Sequence, residues 1–229
     1  MKKLLLFDID GTLLRAEDAT RQAINEAFQS LFHIQGSLQD MSFFSWTDLG
    51  LFREAAVKLI GRPFNDGEYA AFSKIYTERL QDHLHTCKFY LMPGVAELLP
   101  RLAARRDMVL GLETGNIEPA AYLKLKRGKI EHFFKFGGFG SDSADRAELI
   151  QKSIERACAL ERRAIPEKEI YVIGDATYDI NAGKKVGVHT VAVGTGIGDQ
   201  SKLLAEKPDY YLKDLADIPA FLQCLGCKI

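Results

Sequence analysis

The sequence predicts an α/β fold: a doubly wound parallel sheet with an all-helical segment inserted after its first strand. Three observations lead there. Leu4-Leu5-Leu6 near the start and Ile170-Tyr171-Val172-Ile173 far downstream are short apolar runs, the pattern of strands buried on both faces. Each run leads into acid, Asp8 and Asp10 after the first and Asp175 and Asp179 after the second. From Gly94 onward, strand-like and helix-like segments alternate, as a parallel sheet with crossover helices requires.

Taken in order, the first strand ends at Phe7 and is followed by Asp8-Ile9-Asp10-Gly11-Thr12-Leu13-Leu14. Residues 15–88 then read as helices. Ala23, Ile24, Ala27, Phe28 and Leu31 recur at helical spacing, as do Leu51, Phe52, Ala55 and Leu59, then Tyr69, Phe72, Tyr76 and Leu80. No strand is apparent in that stretch, and the core resumes at Met92-Pro93-Gly94. Further on, helices are expected over 94–106, 119–126, 148–160 and 179–186. Strands are expected over 108–113, 136–139, 170–173, 189–193 and 210–212. Asp214 is placed to cap a closing helix carrying Ile218, Phe221, Leu222 and Leu225. The organisation is a core of residues 1–14 and 93–229 with a helical cap of residues 15–92.

Composition narrows the function. The 229 residues are 47% hydrophobic and 27% charged, enough to bury a sizeable core as one large domain or two small ones. A net charge of −1 provides no basic field for nucleic acid or an anionic membrane, so partners are recognised locally. The longest apolar runs are strand-sized, which argues against a membrane-spanning helix. The Met1-Lys2-Lys3 start resembles a signal peptide, but its apolar stretch is short and meets Asp8 without a cleavage site, so a cytoplasmic location is expected. Cys87, Cys158, Cys224 and Cys227 are too scattered for a disulfide framework. The C-x-x-C pair at 224 and 227 lacks the second ligand pair that a structural zinc needs, and reads as packing of a terminal helix. His189 reads as a core residue of a buried strand, and His33, His83, His85 and His132 show no ligand spacing.

The acids carry the chemistry. Residues i and i+2 at a strand end point to the same side, so Asp8 and Asp10 can share one crevice. Carboxylates crowded together repel unless a cation or proton intervenes, and Mg²⁺ suits two or three carboxylates plus a phosphate. An ionised aspartate is a competent nucleophile toward phosphorus, and a neighbouring acid can protonate the leaving alkoxide. Gly11 allows a sharp turn, and Thr12 offers a hydroxyl and a backbone donor near the phosphate. As a solvated turn or helix cap, two acids ending a buried strand would cost stability without compensation.

D-x-D-G-T-L after an N-terminal buried strand, with a later G-D-x-x-x-D after another, resembles the haloacid dehalogenase superfamily, and the helical insert resembles its capped phosphatases of the phosphoglycolate phosphatase type. The resemblance implies a Rossmann-like core and the following roles. Asp8 matches the nucleophile and a metal ligand, and Asp10 the general acid/base with its carbonyl on the metal. Thr114 matches the hydroxyl that binds the transferring phosphoryl group, with Gly115 and Asn116 as nearby backbone donors. Asp175 matches a direct Mg²⁺ ligand, and Asp179 the acid that completes the metal site. Where the family usually has a lysine, this chain has Arg146, with Lys152 further along the same helix as a fallback. Arginine can do the same electrostatic work, although its bidentate geometry differs.

Substrate selection is expected from a cap loop, Ser45-Trp46-Thr47-Asp48 with Arg53, although Thr47-Asp48 reads equally as a helix N-cap. The resulting expectation is a Mg²⁺-dependent phosphatase acting on a small phosphate ester, as a monomer or homodimer. The alternatives are a sugar-phosphate mutase using the same aspartyl-phosphate and a non-enzymatic binding module on the same scaffold. Dehalogenation is disfavoured, because Asp10 supplies an acid that halide departure does not need.

Overall fold

Alternation along the central strand sorts its side chains onto two faces, and the rest of the fold follows from covering both. The computed structural model describes residues 2–35, 38 and 47–227. In chain order the elements are β1 (Lys3–Phe7), β2 (Leu14–Ala16), α1 (Ala19–Phe32), α2 (Asp48–Ile60), α3 (Asp66–Thr86), β3 (Phe89–Leu91), α4 (Val95–Ala103), β4 (Met108–Thr114) and α5 (Glu118–Arg127). There follow β5 (Gly137–Phe139), α6 (Arg146–Glu161), β6 (Ile170–Gly174), α7 (Thr177–Val186), β7 (His189–Val193), α8 (Gln200–Ala205), β8 (Tyr210–Leu212) and α9 (Ile218–Cys224).

Six strands pair in parallel in the order β5-β4-β1-β6-β7-β8. On one face Leu5, Phe7, Leu110, Leu112 and Ile173 pack with Leu98 and Leu102 of α4, Ala121 and Leu125 of α5, and Phe221 of α9. On the other, Leu4, Leu6, Val109, Ile170 and Val172 pack with Ala147, Ile150 and Ala157 of α6 and Ala182 of α7. With helices on both faces, the sheet is doubly wound. Successive strands are added outward from β1 on one side and then on the other, so the chain direction diverges at the carboxyl ends of β1, β4 and β6. Such a divergence opens a crevice.

The insert between β1 and α4 has its own apolar centre. Ala23, Ile24, Ala27 and Phe28 of α1 meet Leu51, Phe52 and Ala55 of α2 and Phe72, Tyr76, Leu80 and Leu84 of α3. Phe72 stacks edge-on against Phe28 and Phe52, with ring centroids 4.8 and 4.9 Å away. Asn65 and Glu68 form a reciprocal capping box that starts α3. Among the described residues no helix is long and apolar enough to cross a membrane.

Three details differ from the sequence expectation. The insert is entered and left through a two-stranded antiparallel ribbon, Leu14 opposite Leu91 and Ala16 opposite Phe89, where residues 15–88 read as helical alone. Three-residue, half-buried strands are too short to show a period of two. The closing helix is capped by Asp217, which accepts from the Ala220 N–H at 3.0 Å, while Asp214 accepts from Ala216 one turn earlier. Helix α8 had no counterpart in the sequence reading.

Candidate active site

Because Phe7 lies opposite both Leu112 and Ile173, the residues ending β1, β4 and β6 emerge side by side. Asp8 remains tied to the sheet edge, its N–H donating to the Ile173 carbonyl at 2.9 Å. The chain then turns at Gly11, whose φ of 94° suits glycine, and where a Cβ would lie 2.5 Å from Asp175 Oδ2. The turn therefore brings backbone directly against the second acidic strand end. Thr12 donates its hydroxyl to Asp175 Oδ1 at 2.8 Å and its N–H to the Ile9 carbonyl at 3.3 Å. Its hydroxyl thus orients an acid of the site.

Asp8, Asp175 and Asp179 each offer a carboxylate oxygen, and these oxygens lie within 4.8 Å of one another. Burial pushes the Asp8 carboxyl well above its usual range. Arg146 opposes that rise, and Asp179, Asp175 and Glu113 add to it. Asp175 is pushed up to about 7, by burial first and by Asp179 second. Sequestered acids that cannot all ionise comfortably form a hard-oxygen donor set that fits a divalent cation such as Mg²⁺. Asp10 lends no carboxylate oxygen to this cluster.

Arg146 opens α6, where Asp145 caps the helix by accepting from the Ala147 N–H at 2.9 Å. Its Nη1 lies 3.6 Å from Asp8 Oδ1 and 3.1 Å from Glu113 Oε1, and it also donates to Asp179. It does not pair with its acidic neighbours on the surface. Asp142 pairs instead with Arg156, and Asp145 with Lys185. Lys152, the fallback, sits on an exposed face beside Glu155 at 2.8 Å. Glu113, with its side chain fully buried, underlies Arg146, and burial raises its carboxyl to about 7.

Asp10 turns the other way. Its carboxylate receives two bonds from Lys124 Nζ, at 2.9 and 2.7 Å, and one from Asn116 Nδ2 at 2.7 Å. Asn116 Nδ2 also reaches Thr114 Oγ1 at 2.8 Å, and the Asn116 N–H reaches the same oxygen at 3.3 Å. Thr114 accepts twice and still has its own O–H to donate. The Asn116 backbone donor, expected near the phosphate, is therefore occupied, and its side chain faces Asp10. Gly115 presents its carbonyl to the Asp48 N–H at 2.6 Å.

Thr47 caps α2, accepting from the Gly50 N–H at 3.2 Å. Asp48 is buried where the insert meets the loop after β4, and accepts from the Ile117 N–H at 2.9 Å. Arg53 is exposed on α2, and Ser45 and Trp46 lie outside the described residues. A cavity of about 600 Å³ opens over the strand ends, lined by Asp8, Asp10, Asn116, Lys124, Arg146 and Asp175, and on the insert side by Arg15, Thr20, Asp48 and Leu51.

A family model described as haloacid dehalogenase-like hydrolase matches residues 5–193, spanning both acidic strand ends and the insert between them. The chain belongs to that family. It is 26% identical over 227 residues to pyrophosphatase PpaX of Anoxybacillus flavithermus, covering 95% of each chain. It is 27% identical over 143 residues to a phosphoglycolate phosphatase of Synechococcus elongatus, covering 62% of this chain and 64% of that one. A hydrolase from Pseudomonas syringae has the same fold, with a TM-score of 0.72 at 21% identity, covering 97% of this chain and 98% of the other.

Two members of this haloacid dehalogenase-like site were not foreseen, yet both had left a trace in the sequence. Glu113 interrupts the otherwise apolar and hydroxyl-bearing strand Met108–Thr114, every residue of which is buried. An acid there needs a cation. Lys124 falls on the apolar stripe of α5, where Ile117, Ala120, Ala121 and Leu125 are buried at positions i, i+3, i+4 and i+8 and the lysine takes i+7.

Proposed function

We propose that this hydrolase is a Mg²⁺-dependent phosphatase that takes the phosphoryl group of a small phosphate ester onto Asp8 and releases it to water. The observation that carries the reading is Asp8 itself: a buried carboxylate within 4.8 Å of the Asp175 and Asp179 oxygens, with the Arg146 guanidinium 3.6 Å away, at the floor of an open cavity. Asp8, Asp175 and Asp179 would hold Mg²⁺, which supplies positive charge to the phosphoryl oxygens when bound.

Asp8 attacks phosphorus in line, forming an aspartyl-phosphate as the ester oxygen departs. Arg146 stabilises the charge spread over the phosphoryl oxygens, and Thr114, buried behind the cavity wall and held by Asn116, is the hydroxyl that the family resemblance assigns to the same task. Asp10, on the same cavity wall, gives a proton to the departing alkoxide and later takes one from the attacking water. Glu113 holds Arg146 from below, and Thr12 holds Asp175. The relatives named for pyrophosphate and phosphoglycolate support a compact phosphorylated substrate, which the cavity can admit.

The test is Asp8→Asn, assayed with p-nitrophenyl phosphate and a panel of phosphomonoesters with and without Mg²⁺. Turnover should fall by roughly 10⁴-fold or more, the scale of removing a nucleophile, with circular dichroism unchanged. Mg²⁺-dependent hydrolysis by that variant, beyond what deamidation explains, would remove the nucleophile assignment. Isomerisation of a sugar phosphate outpacing its hydrolysis, with a need for an activating bisphosphate, would instead select the mutase.

A further inference from the structure

We propose that Lys124 is the positioning residue for Asp10: it fixes the carboxylate that exchanges the proton with the leaving group, while Arg146 separately serves the nucleophile. This rests on the phosphatase reading above. Lys124 is only 2% exposed, and burying an ammonium is costly unless it is fully paired. Its pairing is complete. Three donor hydrogens meet Asp10 Oδ1 at 2.9 Å, Asp10 Oδ2 at 2.7 Å and Asn116 Oδ1 at 2.7 Å. The same Asn116 returns a bond to Asp10 Oδ2, so the carboxylate is gripped from two sides.

Asp10 needs such a grip. Its side chain is 45% exposed in the cavity, and no side chain of the acid cluster restrains it. Left alone, it would sample several rotamers, of which few lie in the path of a leaving oxygen. The lysine is built for this position. Ala121 and Leu125 on either side of it pack on the sheet, and Ile117 and Ala120 pack on the insert. Lys124 reaches the cavity through the seam between them.

In the first half-reaction the bond from phosphorus to the ester oxygen breaks as the bond from Asp8 to phosphorus forms. The departing oxygen keeps the electron pair and takes the Asp10 proton, leaving Asp10 as the carboxylate that Lys124 faces. In the second half, water oxygen bonds phosphorus, the Asp8–phosphorus bond breaks, and the water proton returns to Asp10.

The experiment compares Lys124→Met, Lys124→Arg and Asp10→Asn on an alkyl phosphate, which needs protonation of its leaving group, and on p-nitrophenyl phosphate, which scarcely does. Lys124→Met should lose on the order of 10²-fold in kcat/KM, which reports the leaving-group step alone, on the alkyl substrate, within the range of general acid catalysis, and only a few-fold on the nitrophenyl one. Lys124→Arg, which keeps charge but not the tetrahedral donor set, should show a smaller loss of the same pattern. In the Asp10→Asn background Lys124→Met should cost little more. Equal losses on both substrates, or losses that add to those of Asp10→Asn, would reduce Lys124 to a structural residue. If Asp10→Asn itself shows no leaving-group dependence, the phosphatase reading of Asp10 fails instead, so the two failures are separable. Thermal unfolding of each variant separates misfolding from mispositioning, and the substrate pattern of Lys124→Arg decides the matter if the methionine variant does not fold.

Discussion

Replacing Asp48 with asparagine should change stability in a pH-dependent way whose sign the structure dictates. Asp48 is buried between the insert and the loop after β4, and its carboxyl is raised from 3.8 to about 6, by burial first, against the opposing pull of Lys124 and the Ile117 N–H. An acid whose folded value is raised binds more protons folded than unfolded. Wild-type stability therefore carries no penalty from this group below about pH 4, loses ground as pH rises through 6, and bears the full penalty above that. At about 1.4 kcal/mol per pH unit, the penalty is about 3 kcal/mol. Asparagine retains an oxygen for the Ile117 N–H at 2.9 Å and for the Tyr76 hydroxyl at 3.5 Å, and does not titrate. Urea unfolding of both proteins at several pH values from 4 to 8 gives the difference directly. The asparagine variant should gain about 2–3 kcal/mol relative to wild type across that range and then level off. A difference that stays flat with pH would refute a buried, ionising Asp48. Asp48→Ala should be worse than asparagine at every pH by about 2–4 kcal/mol, since two buried donors lose their acceptor.

Arg146→Met should destabilise the fold by about 3–5 kcal/mol, because Glu113 and Asp179 are both left buried without their cation. Arg146→Lys should recover much of that stability and a share of the turnover with it, since a single nitrogen, Nη1, meets all three carboxylates and an ammonium placed there has three donors to offer; loss of both, as large as in Arg146→Met, in parallel urea and rate assays would contradict this. Gly11→Ala should cost about 1–3 kcal/mol for a side chain held at positive φ, and should also weaken Mg²⁺ binding by calorimetry, because the new Cβ would press on Asp175. Unchanged melting temperature and metal affinity would show that the turn has room to relax.

The fold was legible wherever one element is buried on a face wide enough to repeat. The strands over 170–173 and 189–193 announce themselves as apolar runs, and α1 by five positions on one stripe, of which Ala23, Ile24, Ala27 and Phe28 are buried. The ribbon of β2 and β3 was not, for a half-buried strand of three residues has no period to detect. The acids of the site were legible because charge at the end of a buried strand has no inexpensive structural explanation. Thr47 and Asp48 show where sequence reading stops. Adjacent residues of one capping motif divide the work: the first caps α2, and the second crosses to Ile117, 69 positions away. Nothing in the local sequence distinguishes those two roles.

Helix α5 is where the insert and the chemistry become one energetic unit. Its first turn is held by Asp48, its Ile117 and Ala120 lie in the apolar centre of the insert, and its Ala121 and Leu125 lie on the sheet. Lifting the insert away would break the bond to the Ile117 N–H and the 2.6 Å bond from the Asp48 N–H to the Gly115 carbonyl, and would expose Ile117 and Ala120 to water. Gly115 lies between Thr114 and Asn116, and Asn116 is the second hand on Asp10. The contacts that seat the insert are therefore made by the same loop that holds Asn116 against Asp10. A substitution at the seam of α2 and α5 should consequently change turnover even when it touches no ligand, because the loop cannot relax on the insert side without moving Asn116 on the other.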